Sequence, residues 1–229
     1  MAFNPANFTV EEPKSIPVVL LLDTSCSMSG QPIDMLNKAV EAMLAEFKKA
    51  ETMETFIKLS IITFGSENGV DLHTPLTEVS NINFQPLNVF GATPMGVAFK
   101  MAKAMIEDKE VFKGRDYRPA IVLLSDGEPT DDWEEPLNSF ISNGRSAKCD
   151  RMAVAIGSAD ESVLKKFISG CENPLFYVED ASKIIEAFKK ITMSVTKRTK
   201  SVNKNQTINI NNELDGGNIN LDDLDNFKI

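Results

Sequence analysis

The chain has 229 residues, 42% hydrophobic and 25% charged, a composition that suits one α/β domain with chain to spare and a core large enough to hold without disulfides or a structural metal. A net charge of −9 and the lack of a Lys/Arg stripe argue against DNA or RNA as the main partner and suit a cation or a basic protein surface. Three scattered cysteines (Cys26, Cys149, Cys171), no C-x-x-C pair and a single histidine, His73, give little support to a disulfide scaffold, a zinc site or histidine-dependent catalysis.

Free thiols point to a reducing, cytoplasmic setting. Residues 1–13 read as a polar N-terminal arm with no basic stretch leading into an apolar one, so no signal peptide is expected. No apolar run approaches the ~20 residues of a membrane-spanning helix. The run Ile16-Pro17-Val18-Val19-Leu20-Leu21-Leu22 reads as a strand buried on both faces, as a parallel sheet requires. It ends in Asp23-Thr24-Ser25-Cys26-Ser27, where α/β sheets usually place their sites. A carboxylate and two hydroxyls at alternate positions are hard oxygen donors, the ligands Mg²⁺ and Ca²⁺ prefer. The same residue types also form turns and cap helices.

Pro32 to about Ala50 carries apolar residues at helical spacing, with Lys38, Glu41 and Glu46 turned to water. Thr55–Phe64 reads as a second strand and Val70–Leu76 as a short edge strand returning in a hairpin, with His73 an edge-strand residue. A helix is predicted from about Pro94 to Asp108, with Val97, Ala98, Met101, Ala102, Met105 and Ile106 as its apolar stripe. Thr93, held off the helical region by the following proline, is either its N-cap or a third oxygen donor. Arg118–Ser125 is another buried strand, running straight into Asp126-Gly127-Glu128-Pro129-Thr130-Asp131. Asp-Gly is a turn pair by default. Asp23 and Asp126 converge if their strands are neighbours in a parallel sheet. A helix over Asp132–Arg145, a strand over Arg151–Ile156, a helix over Glu161–Ile168, a strand over Leu175–Val178 and a helix over Ala181 to about Thr192 complete a doubly wound pattern. Residues 195–229 begin basic and become Asn-rich and acidic. They read as a flexible tail or as a docking segment through T-I-N-I and L-D-D-L-D-N-F.

D-T-S-C-S at 23–27, A-T-P-M-G around Thr93 and L-L-S-D-G-E-P-T-D around Asp126 together resemble the three motifs of the von Willebrand factor A (VWA) domain, in order and each after its strand. The wording looks most like the TerY-like branch associated with tellurium resistance in bacteria. The resemblance implies a VWA domain over residues 14–194: a Rossmann-like α/β fold with a mostly parallel central sheet, one antiparallel edge strand and helices on both faces. It implies a metal-ion-dependent adhesion site in which Ser25, Ser27 and Thr93 donate hydroxyl oxygens while Asp23 and Asp126 bind directly or through water. Mg²⁺ is the implied ion, with Mn²⁺ and Ca²⁺ as alternatives. Cys26 is expected to pack against the sheet. Glu128, Asp131 and Asp132 read as solvated rim acids, with tuning of ion capture as the alternative.

The function so implied is a non-enzymatic module whose ion takes an Asp or Glu carboxylate from a protein partner, in a tellurite- or stress-resistance complex with kinase- or phosphatase-like partners. A metal-assisted phosphatase or phosphotransferase is the rival. No second carboxylate cluster, Walker-type glycine loop or catalytic histidine supports it. A scaffold phosphorylated on its Ser- and Thr-rich turns, where phosphate would block the site, is the third reading.

Overall fold

The computed structural model describes residues 13–157 and 159–207. The expected N-terminal arm, apart from residue 13, and the tail beyond residue 207 lie outside the described residues. Six strands form one sheet in the order β3-β2-β1-β4-β5-β6. They are β1 (Lys14–Asp23), β2 (Thr55–Ser66), β3 (Gly69–Glu78), β4 (Ala120–Ser125), β5 (Asp150–Ile156) and β6 (Leu175–Val178). All pairings are parallel except β2 with β3, a hairpin along one edge. The helices between them are α1 (Gln31–Ala50), α2 (Met95–Glu107), α3 (Glu134–Ser142), α4 (Glu161–Ile168) and α5 (Ile184–Lys200).

The apolar run of β1 is long because both of its faces are covered. Ile16, Val18, Leu20 and Leu22 pack under α1 and α5, while Val19 and Leu21 pack under α2, α3 and α4. Each side chain is wholly buried, and each full burial of such a residue is worth roughly 1.5–3 kcal/mol. On the second face Phe99, Phe140 and Phe167 meet with ring centroids 5.8–6.2 Å apart, tying α2, α3 and α4 together.

Three expectations change. In α2 the buried face runs through Met95, Ala98, Phe99, Ala102 and Ile106, while Val97 is 45% exposed; Phe99 takes the inward position that the stripe had given to Val97. The helix expected over Asp132–Arg145 is shorter, Glu134–Ser142, with a separate 3-10 turn at Ser146–Lys148. The last helix runs two turns further than Thr192, and its end is not a solvated tail. Arg198 and Thr199 are buried there. The Arg198 guanidinium donates to the carbonyls of Lys204 and Arg118. The following residues are pinned as well: Arg118 N donates to Asn205 Oδ1 at 2.7 Å and Thr207 Oγ1 to Asp150 Oδ1 at 3.1 Å.

In this order β1 and β4 are neighbours, with Leu22 opposite Leu124, and the chain winds away from them in opposite directions. Such a reversal leaves a crevice at the C-terminal ends of the two central strands. Asp23 ends one of these strands and Asp126 follows the other.

Candidate metal centre

Three loops meet over that crevice. The first leaves β1 at Asp23 and is held flat on the strand ends. Thr24 N donates to Phe64 O at 2.8 Å, Phe90 N to Thr24 O at 2.8 Å, and Cys26 N to Gly91 O at 3.1 Å. A close approach makes this possible: Gly65 has φ +105°, and a Cβ there would lie 2.4 Å from Ser25 N. Only glycine meets both demands.

Asp23 is fully buried. Its Oδ1 accepts Ser25 N at 2.9 Å and its Oδ2 accepts the Ser125 hydroxyl at 2.5 Å. Ser25 Oγ lies 2.9 Å from Ser27 Oγ, and Ser27 Oγ donates to Asp126 Oδ1 at 2.7 Å. Thr93 comes from the second loop and is buried. A Cβ built on Gly127 would sit 3.7 Å from both Ser27 Oγ and Thr93 Oγ1. The two hydroxyls therefore flank the same small space beside Asp126. All five predicted donors, Asp23, Ser25, Ser27, Thr93 and Asp126, are brought to one place.

The electrostatics favour a cation there. Burial pushes the Asp23 carboxyl up to about 6; the hydrogen bonds from Ser125 and Ser25 work against the rise and the nearby Asp126 charge adds to it. Among the described residues no Lys, Arg or His forms an ion pair with either acid. Two acids and three hydroxyls, all oxygen, make a hard donor set. Among the described residues no group of three or more His, Cys, Asp or Glu side chains could hold a metal.

Thr93 is not the N-cap of α2. Pro94 occupies that position without a side-chain cap, and Asp131 supplies the cap from the third loop, accepting Gly96 N and Val97 N at 2.9 Å each. Asp131 is thus bonded to helix amides and is not a free rim acid. Glu128 and Asp132 are exposed as expected. Cys26 is exposed, against expectation. A one-turn 3-10 helix at Cys26–Met28 buries Met28 and turns Cys26 outward. His73 lies on β3, tilted against Phe84, and lines an open cleft beside the first loop with Thr24, Glu67, Asn88, Val89 and Phe90. Ser125, Thr130 and Asp131 act at the site without having been singled out as donors. Thr130 and Asp131 stand in the S-D-G-E-P-T-D stretch, which is the signal that pointed to them.

The sheet and the oxygen cluster at its reversal point define a doubly wound α/β domain with a crevice lined by hydroxyls and carboxylates. The chain belongs to the von Willebrand factor type A domain family, whose model matches residues 18–190. Solved structures with the same fold include proximal thread matrix protein 1 from the mussel byssus with a zinc-occupied MIDAS motif (16% identity, TM-score 0.60, 79% of this chain and 45% of that one). They also include a von Willebrand factor type A protein from Catenulispora acidiphila (17%, 0.58, 80% and 42%) and the ArnB paralog VWA2 from Sulfolobus acidocaldarius (16%, 0.56, 82% and 46%). At these identities the likeness is one of fold, and the chain spans less than half the length of each. No curated protein matches the chain in sequence.

Proposed function

We propose that the chain is a metal-dependent protein-binding module and not an enzyme. The observation that carries this is the convergence of three hydroxyls and two acids from separate loops on one small space. Asp23, Ser25, Ser27, Thr93 and Asp126 would hold a hard divalent ion, Mg²⁺ by preference and Mn²⁺ or Ca²⁺ as substitutes. When bound, such an ion offers a remaining coordination position to an acidic oxygen from outside the chain. The chain's own part is to pre-arrange the hydroxyls: buried Ser25 and Thr93 are held by backbone, while Ser27 and Asp126 reach the surface. A partner's Asp or Glu would complete the shell.

VWA domains generally serve as interaction modules without enzymatic activity, and the donor set agrees. The absence of a three-acid or histidine-bearing cluster among the described residues gives a two-metal hydrolase little to work with. Phosphorylation as a switch is narrowed by burial: Ser25 is 2% and Thr93 5% exposed, which leaves Ser27 as the donor a kinase could reach. The TerY-like branch, with its tellurite setting and kinase- or phosphatase-like partners, rests on the wording of F-G-A-T-P-M-G and S-D-G-E-P-T-D. The site chemistry is the same without it. Among the described residues no helix is long and apolar enough to cross a membrane, and we place the module in the cytoplasm on the strength of its free thiols.

The test is a calorimetric titration of Mg²⁺ into the chain and into Asp23→Ala and Asp126→Ala. Binding by the parent and none by either variant, with circular dichroism unchanged, is the expected outcome. Equal binding by parent and variants would place the ion elsewhere.

A further inference from the structure

The loops that carry Thr93 and Asp126 are stitched together. Thr93 N donates to Thr130 Oγ1 at 3.0 Å, and Thr130 N donates to Thr93 O at 2.9 Å. One turn on, Gly96 N and Val97 N donate to the two oxygens of Asp131. The loops lie so close that a Cβ at Gly96 would stand 2.4 Å from Asp132 O.

This stitching solves a local problem. The start of α2 leaves orphan N–H groups, and its own N-cap position, Pro94, has no side chain able to satisfy them. Asp131 accepts two of them, and its charge suits the positive end of the helix. Thr93 precedes a proline and so stays outside the helical conformation, with its carbonyl accepting Met95 N at 2.8 Å from the first residue of α2. Its amide is held by the Thr130 hydroxyl, and Thr130 N is a second donor to its carbonyl. Threonine is stiff at χ1, so fixing the Thr93 backbone also fixes the direction of its hydroxyl toward the space beside Gly127.

We infer that Thr130 and Asp131 are positioning residues of the metal centre: Thr130 aims the Thr93 hydroxyl, and Asp131 locks the first turn of α2 behind it. Thr93 and Asp126 then form one rigid half of the site, and Asp23, Ser25 and Ser27 the other. This rests on reading the site as a metal centre. It also makes the S-D-G-E-P-T-D stretch a two-part device, in which Asp126 faces the ion while Thr130 holds the donor Thr93, 37 residues earlier in the chain, and Asp131 the helix turn behind it.

The test is the Mg²⁺ affinity, by calorimetry on the full chain, of Thr130→Val, Thr130→Ser, Asp131→Ala, Thr93→Ala and the double variant Thr93→Ala/Thr130→Val, with melting in EDTA recorded for each. Thr130→Val is expected to weaken Mg²⁺ binding by about tenfold, and Thr130→Ser, which keeps the acceptor oxygen, to restore it. On the Thr93→Ala background the Thr130→Val change is expected to add nothing, because the hydroxyl it aims is gone. Asp131→Ala is expected to weaken binding as Thr130→Val does. Parent-like affinity in Thr130→Val, or effects of Thr93→Ala and Thr130→Val that simply add, overturns the positioning role while leaving the metal centre standing. A parent chain that binds neither Mg²⁺ nor Mn²⁺ overturns both.

Discussion

Asp23 sits where an acid is costly: wholly buried, close to a second acid, and answered only by hydroxyls and one amide. Ser125 is the tightest of those contacts and fixes the Oδ2 edge of the carboxylate. Ser125→Ala is expected to cost about 2 kcal/mol of stability, the worth of a buried hydrogen bond to a charged group, and to weaken Mg²⁺ binding about tenfold through a misaimed Asp23; thermal melting and calorimetry measure the two. Asp23, Ser25, Ser27 and Asp126 stand out as candidate donors because a short motif carries the first three after one apolar strand and Asp126 follows another, whereas Thr93 lies beyond an irregular segment and is a candidate through its place before Pro94 and the resemblance of its loop. Ser125, Thr130 and Asp131 all stand in the S-D-G-E-P-T-D stretch, but the contacts they make could not be read, because their partners lie 102, 37 and 35 residues away and only the folded sheet brings them together. Cys26 was misread for a related reason. Hydrophobicity argues for an inward thiol, but the 3-10 turn that follows Ser25 decides which side chains face out, and it buries Met28 instead.

Among the elements, β1 and β2 set the site's floor, and the glycine at the end of β2 shows how tightly. Gly65→Ala would place a methyl against Ser25 N at a positive φ. It should cost about 1–3 kcal/mol and, by lifting the first loop, abolish Mg²⁺ binding; an affinity within twofold of the parent would show that the loop tolerates the shift. At the opposite end of the sheet Arg198 closes the fold. Its guanidinium, drawn down to about 10 by burial with Asp150 opposing, holds the carbonyls of Arg118 and Lys204. Arg198→Met should lower stability by about 2 kcal/mol through lost charged hydrogen bonds and leave Mg²⁺ affinity unchanged, since β4 separates it from the site. The strand–helix alternation was legible because buried parallel strands are apolar throughout and their helices carry clear stripes. The length of α5 was not, because Thr192, Ser194, Thr196 and Thr199 look like the start of a polar tail. In the fold, Thr192 and Thr199 donate back to carbonyls of their own helix, and Arg198 is drawn inside.

For the whole molecule, the proposed metal site links folding to ion capture. The crevice exists only when β1 and β4 lie side by side, so an ion held there stabilises the folded state. At a hundred times its dissociation constant it should add about 2.7 kcal/mol and raise the melting temperature by roughly 5–10 °C, a rise reversed by EDTA. The net charge of −9 favours cation arrival and a partner with basic residues around its coordinating acid, so partner capture should weaken as salt is raised. The most direct test of the central claim is a Mn²⁺ titration followed by electron paramagnetic resonance, run on the parent chain and on Asp126→Ala. The account predicts saturable binding of a single Mn²⁺ per chain, displaced by Mg²⁺ and lost in the variant. A free-ion spectrum throughout the parent titration, or the same bound spectrum in both chains, would contradict it.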